Sequence, residues 1–170
     1  MQLTDILPLE KWIRLEEDVY KMFGFDNNVF NIDGFRITDF KKWANRLCPA
    51  IKATDRGQSY ICAVAHMNLA AAARNTKQPV IEECDAGLVK LVVPIFVNSK
   101  FLGAFGACGS LLDDGEIDTF LVNKTTGIDT EEIESLASDI DSITTAGAEA
   151  AVAYIKARIV RIVSYFENQT

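Results

Sequence analysis

The chain has 170 residues, of which 49% are hydrophobic and 24% charged, so it is long enough for one globular domain with a sizeable core. Its formal net charge of −7 argues against a general nucleic-acid-binding surface, which needs clustered lysine and arginine. The sequence has neither an apolar run of about 18 residues nor a basic N-terminus followed by an apolar stretch, so we expect no membrane span, no signal peptide and a cytoplasmic location.

The first forty residues predict one helix and one hairpin. Apolar residues recur at helical spacing over residues 4–23, with Pro8 tolerated in the first turn and Gly24 ending the helix. Residues 28–38 place Asp33-Gly34 between two short β-rich arms, which predicts a hairpin with a type I′ turn.

Two further helices are predicted before the main sheet. A short one covers residues 40–47 and ends before Pro49, because the residue that precedes a proline avoids the helical region. A long one covers residues 55–77, and its alanine-rich second half suits a helix that lies close against a sheet. Cys62 and His66 are four residues apart in this helix, so they share a face.

The centre of the chain predicts an antiparallel hairpin around which the rest is organised. A strand over 79–83 leads into a β-rich run over 88–97, and the polar pair Asn98-Ser99 precedes a second apolar run over 100–108. Glycines at positions 103, 106 and 109 leave gaps where a backbone or a ligand can approach the returning strand. We expect this hairpin to form the floor of a pocket.

The C-terminal third predicts more helices. Residues 111–115 form a loop, 116–124 a short helix or turn, and a helix from Thr130 places apolar residues on one side, namely Ile133, Leu136, Ile140 and Ile143. From about Ala146, apolar residues alternate in steps of four and three, as in a coiled-coil seam: Ala148, Val152, Ile155, Ile159, Ile162 and Phe166. Two interpretations remain open, a helix that packs on the sheet and a helix that pairs in a parallel dimer.

The order of these elements predicts an α+β fold, an antiparallel sheet flanked by helices, with N- and C-terminal helices. We divide the chain into a sensory domain, residues 1–145, and a signalling or dimerisation helix, residues 146–170. The sequence contains no nucleotide-binding, hydrolase or metalloprotease motif. We expect no enzyme, although Cys62 beside the single histidine, His66, leaves open a nucleophile–base pair.

Three features carry the prediction of a binding site. The cysteines at 48, 62, 84 and 108 are widely spaced and predict either buried inert thiols or, if folding gathers them, a metal ion or iron–sulfur site. Lys90 stands on an otherwise apolar strand, so it either faces solvent from an edge or meets an anionic ligand or an acid such as Asp85. Aromatic walls with a few polar groups typify small-molecule pockets. The candidate ligand-binding residues are Trp43, Asn45, His66, Asp85, Lys90 and Phe105, and the candidate metal ligands are Cys48, Cys62, Cys84 and Cys108.

Several segments resemble the PocR ligand-binding (sensory) domain family. They are N-I-D-G, N-R-L-C-P-A-I, P-V-I-E-E-C-D-A-G-L-V-K-L-V-V-P-I-F-V and F-L-G-A-F-G-A-C-G, and the resemblance extends over roughly residues 5 to 143. It implies a PAS/GAF-like fold that binds a small molecule, such as the hydrocarbon derivative propanediol, and regulates a transcription regulator, histidine kinase or chemoreceptor. It also implies cysteines at Cys48, Cys62 and Cys84.

One position departs from the family pattern. Many members have Gly-Gln where this chain has Cys108-Gly109. That departure favours a metal, cluster or redox role for the four thiols as the alternative to a diol-type ligand. We further expect a homodimer through the terminal helices, with no nucleic acid bound by this chain itself.

Overall fold

The computed structural model describes residues 1–169 and confirms the α+β prediction. The α-helices are α1 (Leu3–Ile6), α2 (Leu9–Phe23), α3 (Leu47–Lys52), α4 (Asp55–Gly57), α5 (Val64–Thr76), α6 (Thr119–Thr126), α7 (Thr130–Ala137) and α8 (Thr145–Glu167). A π-helical segment, Gln58–Ala63, joins α4 to α5. The strands are β1 (Asp26–Asn31), β2 (Val80–Glu83), β3 (Val89–Val97), β4 (Lys100–Cys108), β5 (Leu111–Leu112) and β6 (Ser142–Ile143).

The main sheet has four antiparallel strands in the order β1-β4-β3-β2. The predicted central hairpin is confirmed, and its loop is the pair Asn98 and Ser99, with φ of 48° and 64°. Positive φ at both loop residues is the signature of a type I′ turn, whose twist matches that of the flanking strands. A short parallel pair, β5 with β6, lies in the region predicted to be loop and helix.

Helices cover both faces of this sheet. On one face, α2 and α8 pack against alternate residues of β3, including Val89, Leu91 and Val93. On the other face, α5 covers Val92 of β3 and Ala104 of β4. Because side chains alternate between the two faces of a strand, each residue of β3 belongs to one layer or the other.

The C-terminal seam packs onto the sheet within one chain. Two seam residues, Ile155 and Ile159, are buried in the main core, and Ala148 is also buried. The other three are partly buried against that core, namely Val152, Ile162 and Phe166. This contact accounts for the apolar spacing of α8 without a partner. The homodimer and the boundary between residues 1–145 and 146–170 stay predictions. Among residues 1–169, no helix is both long and apolar enough to cross a membrane.

The predicted hairpin at Asp33-Gly34 differs from the structure in its turn. Only Gly34 has a positive φ, of 80°, and its N–H donates to the Asn31 carbonyl at 3.0 Å. Asn31 N–H in turn donates to the Phe35 carbonyl at 2.8 Å, so the loop has three residues and ends in a left-handed glycine. The returning arm pairs with β1 through the single bridge between Phe30 and Arg36.

Prolines caused two wrong predictions of helix boundaries. Residues 40–47 are not a helix; α3 instead begins at Leu47, with Pro49 in its first turn. A proline is tolerated there because the first N–H groups of a helix have no partner within it. Pro8 likewise lies at the start of α2 and separates it from α1, so the helix predicted over residues 4–23 is two helices. In the C-terminal third, the helix predicted to extend from Thr130 to Ile143 ends earlier, because α7 stops at Ala137.

Glu16 of α2 ties the helix to β1. The side chain is fully buried, and one carboxylate oxygen accepts hydrogen bonds from the Val29 N–H at 2.8 Å and from the Thr38 hydroxyl at 2.7 Å. The other oxygen has no partner among the described residues. Burial raises the pKa of Glu16 to about 7, against the lowering effect of these hydrogen bonds.

Replacing this carboxylate should change how stability depends on pH. The raised pKa means that the folded protein binds more protons than the unfolded chain between about pH 4.5 and 7, so Glu16 lowers stability as pH rises through that range. We therefore expect the difference in unfolding free energy, Glu16→Gln minus wild type, to increase by about 3 kcal/mol from pH 4 to pH 8. Urea titrations at several pH values measure this difference. Glu10→Gln, at an exposed site on the same helix, should show no comparable trend. Parallel pH curves for wild type and Glu16→Gln would contradict this account.

Candidate functional site

A cavity of about 460 Å³ lies between the sheet and the helical segment that runs from Gln58 to Met67. Its size is within the range of small-molecule sites, which is roughly 300–1,000 Å³. Its apolar lining includes Ile51, Ile61 and Leu88. The structure brings six of the predicted residues to this cavity, namely Cys48, Cys62, His66, Cys84, Lys90 and Cys108.

The ends of β3 and β4 form the sheet side of the cavity. The register pairs Lys90 with Cys108, so both side chains lie on the face opposite the main core, and Gly109 follows directly. Asn45 does not line the cavity but fixes this wall. Its amide N–H groups donate to the Gly109 carbonyl at 2.7 Å and to the Cys48 Sγ at 3.3 Å, and its oxygen accepts from the Cys48 N–H at 2.7 Å.

His66 is held by aromatic and backbone contacts rather than by hydrogen bonds. Its ring lies 3.7 Å from the Phe30 ring between centroids, and a Cβ on Gly106 would lie 3.3 Å from Nδ1. The side chain is 5% exposed, and neither ring nitrogen has a hydrogen-bond partner among the described residues. Burial, and then the positive charges of Lys90, Arg36 and Lys52, lower the pKa of His66 to about 3. The imidazole is therefore neutral at physiological pH.

The two lysines on the cavity have different surroundings. Lys52 lies 3.4 Å from the buried carboxylate of Asp26 and 5.0 Å from the centre of the Trp43 ring. Lys90 is only 8% exposed as a residue, and within residues 1–169 its ammonium makes no side-chain hydrogen bond or ion pair. The ammonium itself is not fully buried, so it is accessible from the cavity that Lys90 lines. No carboxylate of the described chain pairs with it.

The four thiols share the cavity, and burial disfavours the thiolate form of three of them. Burial raises the pKa of Cys62 to about 11 and also raises the pKa of Cys48 and Cys84. The part of the chain that the structure describes contains no group of three or more His, Cys, Asp or Glu arranged to hold a metal ion. Because both nitrogens of His66 are unpaired, Cys62 makes no hydrogen bond to it, and the geometry gives no support to a nucleophile–base pair.

Besides Asn45, three predicted residues do not line the cavity. Phe105 is fully buried in the main core, on the opposite face of the sheet, because it neighbours Gly106 along β4 and side chains alternate. Asp85 is exposed, between β2 and β3. Trp43 lies outside the lining, with Lys41 and Lys52 over its ring.

Sequence reasoning missed the aromatic side of the site. Phe30 and Phe35, on either side of the hairpin turn, both line the cavity, and Phe35 is 69% exposed at its mouth. Met67 lines the same mouth and is 64% exposed. The sequence feature that could have indicated this side of the site is the pair of phenylalanines that flank the Asp33-Gly34 turn. The π-helical segment had no recognisable signal.

Replacing His66 by an apolar residue should stabilise the protein. The two unpaired nitrogens carry a desolvation cost that leucine avoids. We therefore expect the free energy of unfolding of His66→Leu to exceed that of wild type by about 1 kcal/mol at pH 7.5. The gain should increase as pH falls below 6.5, because the unfolded chain binds a proton that the buried imidazole resists. Urea unfolding at pH 5 and 7.5 measures this. Asn75→Leu, at an exposed site on the same helix, is the control. Equal stability of His66→Leu and wild type at both pH values would contradict the prediction.

Comparison with known proteins assigns the chain to a family. The family model described as the sensory domain found in PocR matches residues 5–165. No curated protein and no solved structure matches the chain. The family match covers nearly the whole sequence, including the hairpin, the cavity and most of α8. The resemblance seen in the sequence is thus confirmed, and the chain belongs to the family of sensory domains found in PocR.

Proposed function

We propose that this chain is a non-enzymatic sensory domain whose cavity binds a small molecule and thereby regulates an attached or partner signalling module. The observation that carries the proposal is a largely apolar cavity of about 460 Å³ lined by Lys90, whose ammonium forms no ion pair among the described residues. A lysine that is 8% exposed is normally paired, so a bound molecule explains why Lys90 is maintained there. Membership of a sensory-domain family supports the same function.

Strand β3 provides a physical route from the cavity to the terminal helix. Lys90 faces the cavity, whereas its neighbours Val89 and Leu91 face the core that contains Ile155 of α8. At the far end of the hairpin, the Asn98 N–H donates to a Glu167 carboxylate oxygen at 2.7 Å. If β3 and α8 together adopt two arrangements, a ligand that binds one arrangement more tightly shifts the equilibrium towards it. The size of that shift is set by the difference in affinity. This role for α8, alone or in a homodimer, is part of the proposal.

Filling the cavity should block binding while leaving the fold intact. Ala63 lines the cavity and is partly buried, so Ala63→Phe should occupy ligand space. In a calorimetric screen of small diols, aldehydes and carboxylates, we expect a saturable ligand for wild type and at least tenfold weaker binding for Ala63→Phe.

Ala157→Phe serves as the matched control, because Ala157 is exposed on α8 and away from the cavity. It should bind as wild type does. The proposal fails if no compound in the screen binds saturably, or if the Ala63 and Ala157 variants bind equally well.

A metal or iron–sulfur centre is the alternative, and the observation that favours it is the presence of all four cysteines on one cavity. The protein purified under anaerobic conditions would then contain iron or zinc in stoichiometric amount, and iron would give a visible spectrum. Colourless protein without metal and with four titratable thiols would eliminate the alternative. The small-molecule proposal does not depend on this result.

A further inference from the structure

Lys90 is buried at a position where a neighbouring acid is available but is not used. The register pairs Lys90 of β3 with Glu82 of β2, yet Glu82 is exposed and the two side chains form no ion pair. A lysine is rarely buried unless it is paired. A residue that needed only an internal counter-ion would have one in Glu82, so the ammonium is available to a guest in the cavity.

The described side chains around the cavity include one carboxylate, that of Asp33. The charged lining residues of the cavity within the described chain are Asp33, Lys52 and Lys90. Asp33 is exposed at the mouth, and Lys52 already contacts Asp26 at 3.4 Å. The cavity is thus locally positive in a chain whose formal net charge is −7. Such a site selects a negative ligand over a neutral one of the same shape.

The rest of the lining limits the kind of anion. Ile51, Ile61, Leu88 and Phe30 offer an apolar surface, which a fully hydrated inorganic anion would not use. Phosphate groups are usually recognised by arginine forks or by N–H groups at helix N-termini, and the described lining includes no arginine. One ammonium without an ion-pair partner, that of Lys90, in a largely apolar lining fits a monocarboxylate.

We propose that the ligand of this cavity is a small organic carboxylate with an apolar body, whose carboxylate group pairs with Lys90 and whose apolar part contacts the aliphatic wall. The neutral imidazole of His66 lines the same cavity. This inference rests on the proposed function, since it specifies the ligand class of the same cavity. It differs from the neutral diol that the family resemblance implies.

The test compares matched ligands and matched lysines by isothermal titration calorimetry. The ligands are butanoate, hexanoate and benzoate, each with its neutral amide, together with propanediol and inorganic phosphate. We expect at least one carboxylate to bind at least tenfold more tightly than its amide. Lys90→Met should abolish that difference. Lys100→Met, which removes an exposed lysine from the same hairpin, should preserve it.

The outcomes separate this inference from the proposed function. If amides or propanediol bind as tightly as the carboxylates, or if phosphate binds most tightly, the carboxylate inference is wrong and the sensory function stands. If nothing in the wider screen binds, both are wrong. The comparison of each carboxylate with its amide uses only wild-type protein, so it decides the matter even if Lys90→Met fails to fold by circular dichroism.

Discussion

Strand β3 is covered on both faces, and this two-sided burial determines what each of its residues contacts. Val89, Leu91 and Val93 meet the core formed with α2 and α8, whereas Lys90 meets the cavity. A shift of one residue in register would exchange the two sets and place a lysine in the main core. Pairing with β2 on one side and β4 on the other holds the register. The position of the site and the packing of the terminal helix therefore depend on the same hydrogen-bond ladder.

The cavity exists because small residues and unpaired polar groups occur where a stable core would have large apolar ones. Gly106 leaves room for His66 against β4. Ala63 and Ala65 line the helical side of the cavity with small side chains, which leaves volume for a ligand. A site with a buried, unpaired imidazole and an unpaired ammonium is less stable than a filled apolar core. Natural proteins accept such costs mainly at functional sites, where flexibility or an unsatisfied group is required. A ligand that pairs with Lys90 would stabilise the folded state by its own binding free energy.

Local signals in the sequence predicted the sheet better than the site. The apolar runs and the Asn98-Ser99 pair were enough for the central hairpin, because turn and strand propensities agreed there. Pro49 was misread because a proline favours the end of one helix and the start of the next equally well. The four distant cysteines line one cavity, but among the described residues no three His, Cys, Asp or Glu side chains are arranged to hold a metal ion, so the metal site stays a prediction. Phe105 was assigned to the wrong face, because periodicity shows alternation but not which face holds the core. The parallel pair β5–β6 joins segments about thirty residues apart and has no local signature.

The central claim is that the cavity beside β3 is built for a guest and is not a packing defect. A crystal structure of the protein as purified, followed by one soaked with the best ligand from the calorimetric screen, tests this most directly. The account predicts electron density for an organic molecule with a polar atom within hydrogen-bond distance of the Lys90 ammonium. It would be contradicted if the cavity were filled by its own side chains, with Lys90 paired to a protein group in both crystals.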